Sequence, residues 1–359
     1  MTARAGWRRL VGRTTATVGA AVVGTVAVAA TCTAPAMAAT KKHADVDLHG
    51  VTLRVGDEQG IFEGPLQASG LGGGTAYSVD YSNLVGGPAV VAALAGGSVD
   101  IGEMSDPPPI FAQAQNEPIK IVAAQEPQNP QKQSNFAIVV KAGSPITTVK
   151  DLKGKSVSLL NGTILQYIAI RALQKAGLSY DDINPVNVNP PSGATAALQN
   201  GSVDALVTSL AVADGLVSSG QGKIIATGAG LSRSLNYVVA SDAALADPKK
   251  AAAIGDYVRR LAKAQQWVLV HPAAYRPVYA KYNAIPEDVA SSVLKQLPIV
   301  YTPIDNAIKQ AQQSEANIFT SLNLIPTKLN TNLEFDTRFN PVVTAAVTTN
   351  ATTTNGKTS

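Results

Sequence analysis

The sequence predicts an α/β protein built as two doubly wound lobes joined by a hinge. Three observations carry that reading. Short apolar runs alternate with helical patterns, punctuated by Gly, Pro, Asn and Asp, which is the signature of successive β-α-β units. One unit is echoed: Ala92-Ala93-Leu94-Ala95-Gly96-Gly97-Ser98-Val99-Asp100 returns as Ala196-Ala197-Leu198-Gln199-Asn200-Gly201-Ser202-Val203-Asp204, 104 residues later. That spacing is too long for a solenoid period but suits two similar lobes. Finally, the C-terminal third turns mostly helical, as expected of a segment returning to complete the first lobe.

The chain opens with a targeting pattern. Arg4, Arg8, Arg9 and Arg13 precede the uncharged run Thr17–Ala30, and Ala36-Met37-Ala38 offers a small-x-small cleavage site. Residues 1–38 are therefore expected to be a signal peptide. The apolar run is short of the about 20 residues a membrane span needs. Arg8-Arg9 raises the twin-arginine route, although the flanking residues fit Sec export better. The single cysteine, Cys32, lies in this segment. It is either removed with the signal or serves as a lipid attachment site, for which Ala29-Ala30-Thr31 is a poor preceding sequence. The remaining chain of about 320 residues is long enough to bury a core without disulfides. The formal charge of +4 includes those four arginines, so the rest of the chain is near neutral. Neither a basic stripe nor basic residues interleaved with aromatics point to nucleic acid.

The first lobe starts with a strand at Val51–Val55 and the loop Gly56-Asp57-Glu58-Gln59-Gly60. A helix follows from near Ile61, then the turn Gly72-Gly73-Gly74 and a strand at Tyr77–Tyr81. Gly86-Gly87-Pro88 opens the next helix, because Pro is pre-shaped for a first helical position. Val90, Val91 and Leu94 mark its buried face, and Gly96-Gly97 ends it in the left-handed conformation open to Gly. A strand begins near Val99-Asp100-Ile101. Asp106-Pro107-Pro108 starts another helix, with Asp106 as its expected N-cap. Strands are expected at Ile119–Ala124 and Phe136–Lys141. The second series holds strands at Ser156–Leu160, Val186–Val188, Val203–Thr208 and Lys223–Thr227, with helices at Ile164–Ala176 and Gly193–Gln199. After Tyr237–Ala240 come helices from Pro248, from Pro286 and over Ile304–Leu322. The first lobe is thus expected over 51–140 and 240–335, the second over 141–239, with crossings near Val139–Lys141 and Tyr237–Ala240. Residues 344–359 are rich in Thr and Asn and are expected to be a disordered tail.

Several segments carry a resemblance in their order and spacing. They are Ser82-Asn83 with Gly87-Pro88; Ala93-Leu94 with Gly97-Ser98-Val99-Asp100-Ile101-Gly102; Ser105-Asp106-Pro107-Pro108-Pro109-Ile110-Phe111-Ala112; Ile121-Val122-Ala123-Ala124; Asp151-Leu152-Lys153-Gly154-Lys155; and Arg171-Ala172-Leu173 with Ala176-Gly177-Leu178. From about Val51 to about Ile325 the chain resembles the substrate-binding proteins of bacterial ABC importers in the aliphatic-sulfonate, taurine and nitrate family. The resemblance implies a periplasmic-binding-protein-like fold of type II. It also implies a small polar ligand held between the lobes, and a membrane permease with separate ATPase subunits as partner. It places the protein in the periplasm or at the outer face of the cell membrane, as an expected monomer without cofactor or metal.

Ligands of open α/β sheets sit at the carboxyl ends of strands. By that rule and by the resemblance, the expected contacts are Glu58 and Gln59; Asn83, Gly87 and Pro88; Ser105 and Asp106; Asn161, Gly162 and Thr163; with Glu126 and Ser209 further out. Each position also suits ordinary turn or capping chemistry. Three departures from the family pattern stand out: Glu58-Gln59 where Gln-Lys is frequent, Glu103-Met104 where small residues are frequent, and Ser209-Leu210-Ala211 where many members have Trp-Asp-Pro. An uncompensated carboxylate repels a sulfonate. Either these glutamates face solvent or pair with a Lys or Arg, or the ligand is cationic, zwitterionic or neutral.

The alternative is a cleft enzyme, since the same fold serves a desulfinase with a cysteine nucleophile and a thiamine-precursor synthase using histidine. Cys32 lies in the signal. His43 and His49 lie at the N-terminal linker, and His271 precedes Pro272 at a helix end, where a cation is favoured by the dipole. No His-Glu-x-x-His or Gly-x-Ser-x-Gly motif occurs, so no enzymatic role is expected. No Walker motif occurs either, so the ATP is hydrolysed by another subunit.

Overall fold

A computed structural model describes residues 46–188, 192–296 and 298–348. The expected signal peptide 1–38, Cys32 and residues 349–359 of the expected tail lie outside the described residues. Strand β1 (Thr52–Asp57) buries Leu53 and Val55 fully. Helix α1 (Glu63–Ser69) ends at Gly70, whose φ of 72° is the left-handed stop that glycine tolerates. The series continues with β2 (Ser78–Asn83), α2 (Gly87–Ala95), β3 (Ile101–Ser105), α3 (Pro107–Ala114) and β4 (Ile119–Pro127). The chain then crosses to β5 (Phe136–Lys141), β6 (Ser156–Leu159), α4 (Ile164–Lys175), β7 (Asn184–Asn187), α5 (Ser192–Asn200), β8 (Ala205–Ser209), α6 (Leu210–Ser218) and β9 (Gly222–Thr227). It returns through β10 (Asn236–Ser241), α7 (Asp242–Ala246), α8 (Pro248–Val270), α9 (Pro272–Asn283), α10 (Glu287–Gln296), β11 (Ile299–Thr302), α11 (Asn306–Ser321) and α12 (Asn340–Thr348).

Among the described residues these strands make a six-stranded sheet, β11-β4-β10-β3-β1-β2, and a five-stranded sheet, β7-β6-β8-β5-β9. The first sheet is covered on both faces. Phe62 just before α1, Leu66 of α1, Tyr257 and Leu261 of α8 and Val343 of α12 pack on one face. Val90 and Leu94 of α2 and Ile308 of α11 pack on the other. The second sheet is sandwiched in the same way between α4 and the pair α5 and α6.

The echoed segments occupy equivalent places. β1, β2 and β3 are parallel in the spatial order β2-β1-β3, and β6, β7 and β8 repeat it as β7-β6-β8. Asp100 and Asp204 explain the retained Ser-Val-Asp. The Asp100 N–H donates to the Arg54 carbonyl at 2.8 Å, and its carboxylate accepts from the Arg54 N–H at 3.0 Å. Asp204 does the same with Ser156, at 2.8 and 2.9 Å. Each aspartate pins the start of one strand to its parallel neighbour.

The fourth strand of each series is borrowed across a crossing. β10 runs antiparallel beside β3 and β4, and β5 runs antiparallel beside β8 and β9. This corrects the crossings expected near 139–141 and 237–240. Phe136–Lys141 pairs wholly within the second sheet and Asn236–Ser241 wholly within the first, so the crossings are residues 128–135 and 228–235. The two crossings are tied together, since the Gly230 N–H donates to the Pro130 carbonyl at 3.2 Å.

Two further expectations are corrected. The tail expected from 344 is helical to Thr348, because Val343, Ala346 and Val347 form an apolar stripe that packs on the first core. The helical C-terminal third also contains β11, an edge strand antiparallel to β4. Its Ile-Val-Tyr-Thr sequence has the β-branched and aromatic character of a strand. No described helix is long and apolar enough to cross a membrane.

Candidate functional site

The carboxyl ends of β1 and β3 carry acidic side chains that the fold turns inward. Val55 stands opposite Ile101 and Gly56 opposite Gly102, so the parallel register brings Asp57 and Glu103 next. Asp57 is committed to structure: its two oxygens accept from the Phe62 and Glu63 N–H groups at 3.0 and 2.9 Å, supplying the start of α1 with acceptors. Burial outweighs those bonds and pushes its carboxyl up to about 6. Glu58 is half-buried beside the Gly86 N–H, and its carboxyl is raised by burial and by the Asp57 charge.

Glu103 is the more isolated group. It is 4% exposed, and its carboxylate has no hydrogen bond or ion pair among the described residues. Burial raises it well above the ordinary carboxylate range, reinforced by Glu58 and Asp57. None of the ion pairs among the described residues reaches Asp57, Glu58 or Glu103. The nearby Tyr301 of β11, which pairs with Gln125 of β4, is 3% exposed and its hydroxyl lacks a hydrogen-bond partner. Burial raises its phenol, the Gln125 side chain beside the hydroxyl lowers it, and the charge of Glu103 raises it again. Tyr275 and Tyr282 of α9 close over the loop after β1. A Cβ on Gly60, whose φ is +69°, would meet the Tyr282 ring at 2.3 Å, so only glycine fits beneath it. Tyr279 of the same helix reaches the core of the second lobe.

The remaining predicted residues divide into three groups. Gln59, Asn83 and Pro88 are exposed, and Gln59 adopts a left-handed φ of 54°. Gly87 lies against Pro108, where a Cβ would approach to 2.3 Å, so it permits α2 and α3 to meet. The second-lobe loop is stitched to itself. The Asn161 N–H donates to Asn187 Oδ1 at 3.0 Å and the Gly162 N–H to Gln166 Oε1 at 2.8 Å. The Thr163 hydroxyl donates to the Leu160 carbonyl and accepts from the Leu165 N–H, capping α4. Ser209 caps α6 at 3.4 Å. Two helix N-termini on the second lobe therefore carry neutral hydroxyl caps, while the first lobe carries carboxylates.

Asp106 and Glu126 sit differently from expectation. Ser105 is half-buried at the end of β3, but Asp106 is 2% exposed and does not cap α3 with its side chain. It lies beside Glu315 of α11, and Asp106 Oδ1 and Glu315 Oε1 are buried without a hydrogen-bond partner among the described residues. Burial raises Asp106 to about 7 and Glu315 well above its usual range. Ser232 donates to Asp106 at 3.4 Å, and Gln312 bonds both the Asp106 carbonyl and Glu334. Glu126 forms a two-pronged pair with Arg233 at 2.6 and 3.0 Å, joining β4 to the second crossing. That pair borders a cavity of about 390 Å3 with Gln128, Pro130 and Val300. Sequence reasoning missed Arg233, Tyr275, Gln125 and Tyr301; the strand pattern of Ile299–Thr302 was the available signal for the last.

The lobes also touch directly. Phe319 of α11 packs edge-on against Phe111 of α3, with centroids 5.0 Å apart, and against Tyr167 of α4 at 5.8 Å. Gly162 rests on the Phe111 ring and Gly86 on Leu160. Among the described residues no group of three or more His, Cys, Asp or Glu side chains is disposed to hold a metal ion.

Comparisons with known proteins agree with this architecture. A family model described as "ABC transporter, phosphonate, periplasmic substrate-binding protein" matches residues 71–266. A putative aliphatic sulfonates-binding protein of Escherichia coli is 30% identical over 244 residues, covering 68% of this chain and 74% of that protein. The crystal structure of the periplasmic aliphatic sulphonate binding protein SsuA from Escherichia coli superposes with a TM-score of 0.69 at 27% identity, covering 79% of this chain and 92% of that one. The alkanesulfonate-binding protein SsuA from Xanthomonas axonopodis pv. citri, bound to MOPS, superposes with a TM-score of 0.72 at 25% identity, covering 80% and 99%.

Proposed function

Because the chain belongs to the periplasmic substrate-binding proteins of ABC transporters, we propose that its own solute is a small organosulfonate held between the two sheets. The observation that carries this reading is the pairing of two like β-α-β series across two short crossings. In this reading the strand ends and helix N-termini of both series border one cleft, for which the like strand order of the two sheets is the support. Sulfonate oxygens are acceptors only, and helix N-termini with exposed backbone N–H groups suit them. The relatives that bind sulfonates support the choice of head group.

Ligand contacts made by both lobes at once favour the closed arrangement and shift the population toward it. A membrane permease then takes the loaded form, with ATP hydrolysed by a separate subunit. The protein acts as a monomer and releases its solute unchanged. Residues 1–38 direct export, and Cys32 either leaves with them or carries a lipid. Mass spectrometry of the mature N-terminus separates these two fates.

The test is a thermal-shift screen of residues 46–348 against ethanesulfonate, propanesulfonate, taurine, nitrate and phosphonates. A ligand that binds only the folded state adds about 2.7 kcal/mol at one hundred times its dissociation constant. A shift with sulfonates, accompanied by compaction in small-angle scattering, is the expected result. Binding of phosphonates in preference to sulfonates overturns the head-group assignment, and turnover of the bound compound overturns the carrier role.

A further inference from the structure

We propose that the cavity where the second crossing meets α3 and α11 is a calcium site, in which Asp106 and Glu315 hold the cation with oxygens of Ser232, Ser314 and Tyr167. This goes beyond the carrier reading and stands without any solute. The cavity has a volume of about 180 Å3, enough for an ion and a few waters, and these five residues are among those that line it. Asp106 is 2% exposed and Glu315 3%, yet Asp106 Oδ1 and Glu315 Oε1 have no hydrogen-bond partner among the described residues. Buried polar atoms are nearly always paired, so two unmet carboxylate oxygens at one cavity are a specific exception.

Charge points to a cation rather than to a neutral guest. Two carboxylates side by side cannot both ionise without a compensating charge. The nearby arginines do not supply it. Arg233, at the cavity wall, gives its guanidinium to Glu126 through bonds of 2.6 and 3.0 Å. Arg171 of α4 acts on Glu315 through its charge, but its guanidinium bonds Gln174 at 3.3 Å and its buried Nε bonds nothing among the described residues. Glu334, held by Gln312, adds a third carboxyl near the pair. The other titratable groups that face the pair, Tyr167 and Tyr237, are phenols kept neutral by burial. The neighbouring cavity at Glu126 is the contrast, since one carboxylate there has one arginine.

The donor set selects the ion. The five side chains all offer oxygen, and the cavity is lined by neither imidazole nor thiolate, which favours a hard cation over zinc or copper. The Ser314 hydroxyl donates back to the Gln310 carbonyl at 2.8 Å, and Ser232 Oγ accepts from the Ser234 N–H at 2.8 Å, so each oxygen keeps a lone pair. Calcium takes about six to eight oxygens in irregular geometry, water among them, whereas magnesium demands a near-octahedral set. Two carboxylates balance its charge. Ser314 is exposed and gives the ion a way in. A bound ion ties α3 and α11 to the second crossing and to α4 of the other lobe.

The test is titration calorimetry of the chelator-treated protein with calcium chloride and with magnesium chloride, at about pH 6 and about pH 8.5. The expected result is one calcium per chain with a Kd on the order of 0.1–1 mM, as in weak extracellular sites, and weaker binding of magnesium. Affinity is expected to rise about tenfold or more at the higher pH, because the entering ion displaces a proton that the buried pair holds near neutrality. Glu315→Gln lowers the affinity about tenfold or more, whereas Asp288→Asn, an exposed acid on α10, leaves it unchanged. Terbium emission excited through tyrosine, displaced by calcium and weakened in Tyr167→Phe, decides the matter should Glu315→Gln fail to fold. Silence of calcium at about pH 8.5 overturns the proposal and leaves the pair to share a proton. Calcium binding that Glu315→Gln leaves intact overturns it as well, by marking a surface site, and tighter binding of magnesium overturns the choice of ion. None of these results touches the carrier reading, which is tested by solute binding.

Discussion

The chain holds the same β-α-β series twice, and the two copies have been put to different use. In both, an aspartate after Gly-Ser-Val bonds the backbone of the neighbouring parallel strand with nearly identical geometry. In the first copy Asp100 is also 2% exposed and gathers the side chains of Arg54 and Lys250, at 2.6 and 2.7 Å. In the second, Asp204 is exposed and makes the backbone bond alone. The loops after the first strands diverge further. Asp57 starts α1 with a carboxylate and stands beside Glu58 and Glu103, whereas Thr163 starts α4 with a hydroxyl. The shared backbone bond keeps the fold, and the charge around it has been free to vary.

The largest expected difference between the copies lies in those aspartates. Asp100→Ala strands Arg54 and Lys250 at a partly buried site and is expected to cost about 3 kcal/mol. Asp204→Ala removes one exposed hydrogen bond and is expected to cost about 1 kcal/mol or less. Urea unfolding of both variants measures the gap, and equal losses would mean that the ion pairs add nothing to the first copy.

Acid titration separates the copies next. The first lobe contains carboxyls raised above their unfolded values: Asp57 at about 6, Asp106 at about 7 and Glu334 at about 8. Each binds a proton in the folded state at a pH where the unfolded chain has lost it. Stability is therefore expected to fall as pH rises from about 4 toward about 8, by up to about 1.4 kcal/mol per unit for each such carboxyl. Asp100 acts with the opposite sign, since its two cationic partners hold its carboxyl below the usual range despite the cost of burial. Its contribution is present above pH about 4 and is lost as pH falls through its folded value. A stability maximum on the acid side of neutrality, read from urea midpoints across pH, is the expected profile. Glu334→Gln is expected to flatten the neutral limb, and an unchanged limb would place the proton elsewhere.

The smallest effect concerns the neutral cap. Thr163→Ala removes the acceptor for the Leu165 N–H and is expected to cost about 1 kcal/mol. Thr163→Ser should restore most of it. A loss confined to ligand affinity, with stability unchanged, would instead make Thr163 a solute contact.

Much of this architecture was legible in the residues because it is local. The period of the apolar positions, the Gly and Pro stops and the Ser-Val-Asp echo each act over a few residues. Which sheet a strand joins is not local. Phe136–Lys141 reads as the same apolar strand in either lobe, and only its pairing with β8 and β9 decides, so the crossings were misplaced by one strand. Val343, Ala346 and Val347 were hidden among threonines, where composition suggested disorder and spacing specified a helix. The loops chosen as candidates could be placed at strand ends from the residues, and the way their side chains turn could not. The loop ends were found, but nothing in Asp106 or Glu126 as letters tells that one turns in toward Glu315 and the other is neutralised by Arg233. Tyr301, from a strand nearly two hundred residues after Glu103, is brought beside it only by the returning segment.

The contact of Phe319 with Tyr167 has a kinetic consequence. Those rings belong to opposite lobes, so in the proposed carrier, separating the lobes wets an aromatic surface before a solute leaves. The free energy of that exposure adds to the barrier for dissociation whatever the solute is. Residence time is then set in part by a patch the solute never touches. A docking partner that covers or pries apart that edge would speed unloading without competing for the binding groups.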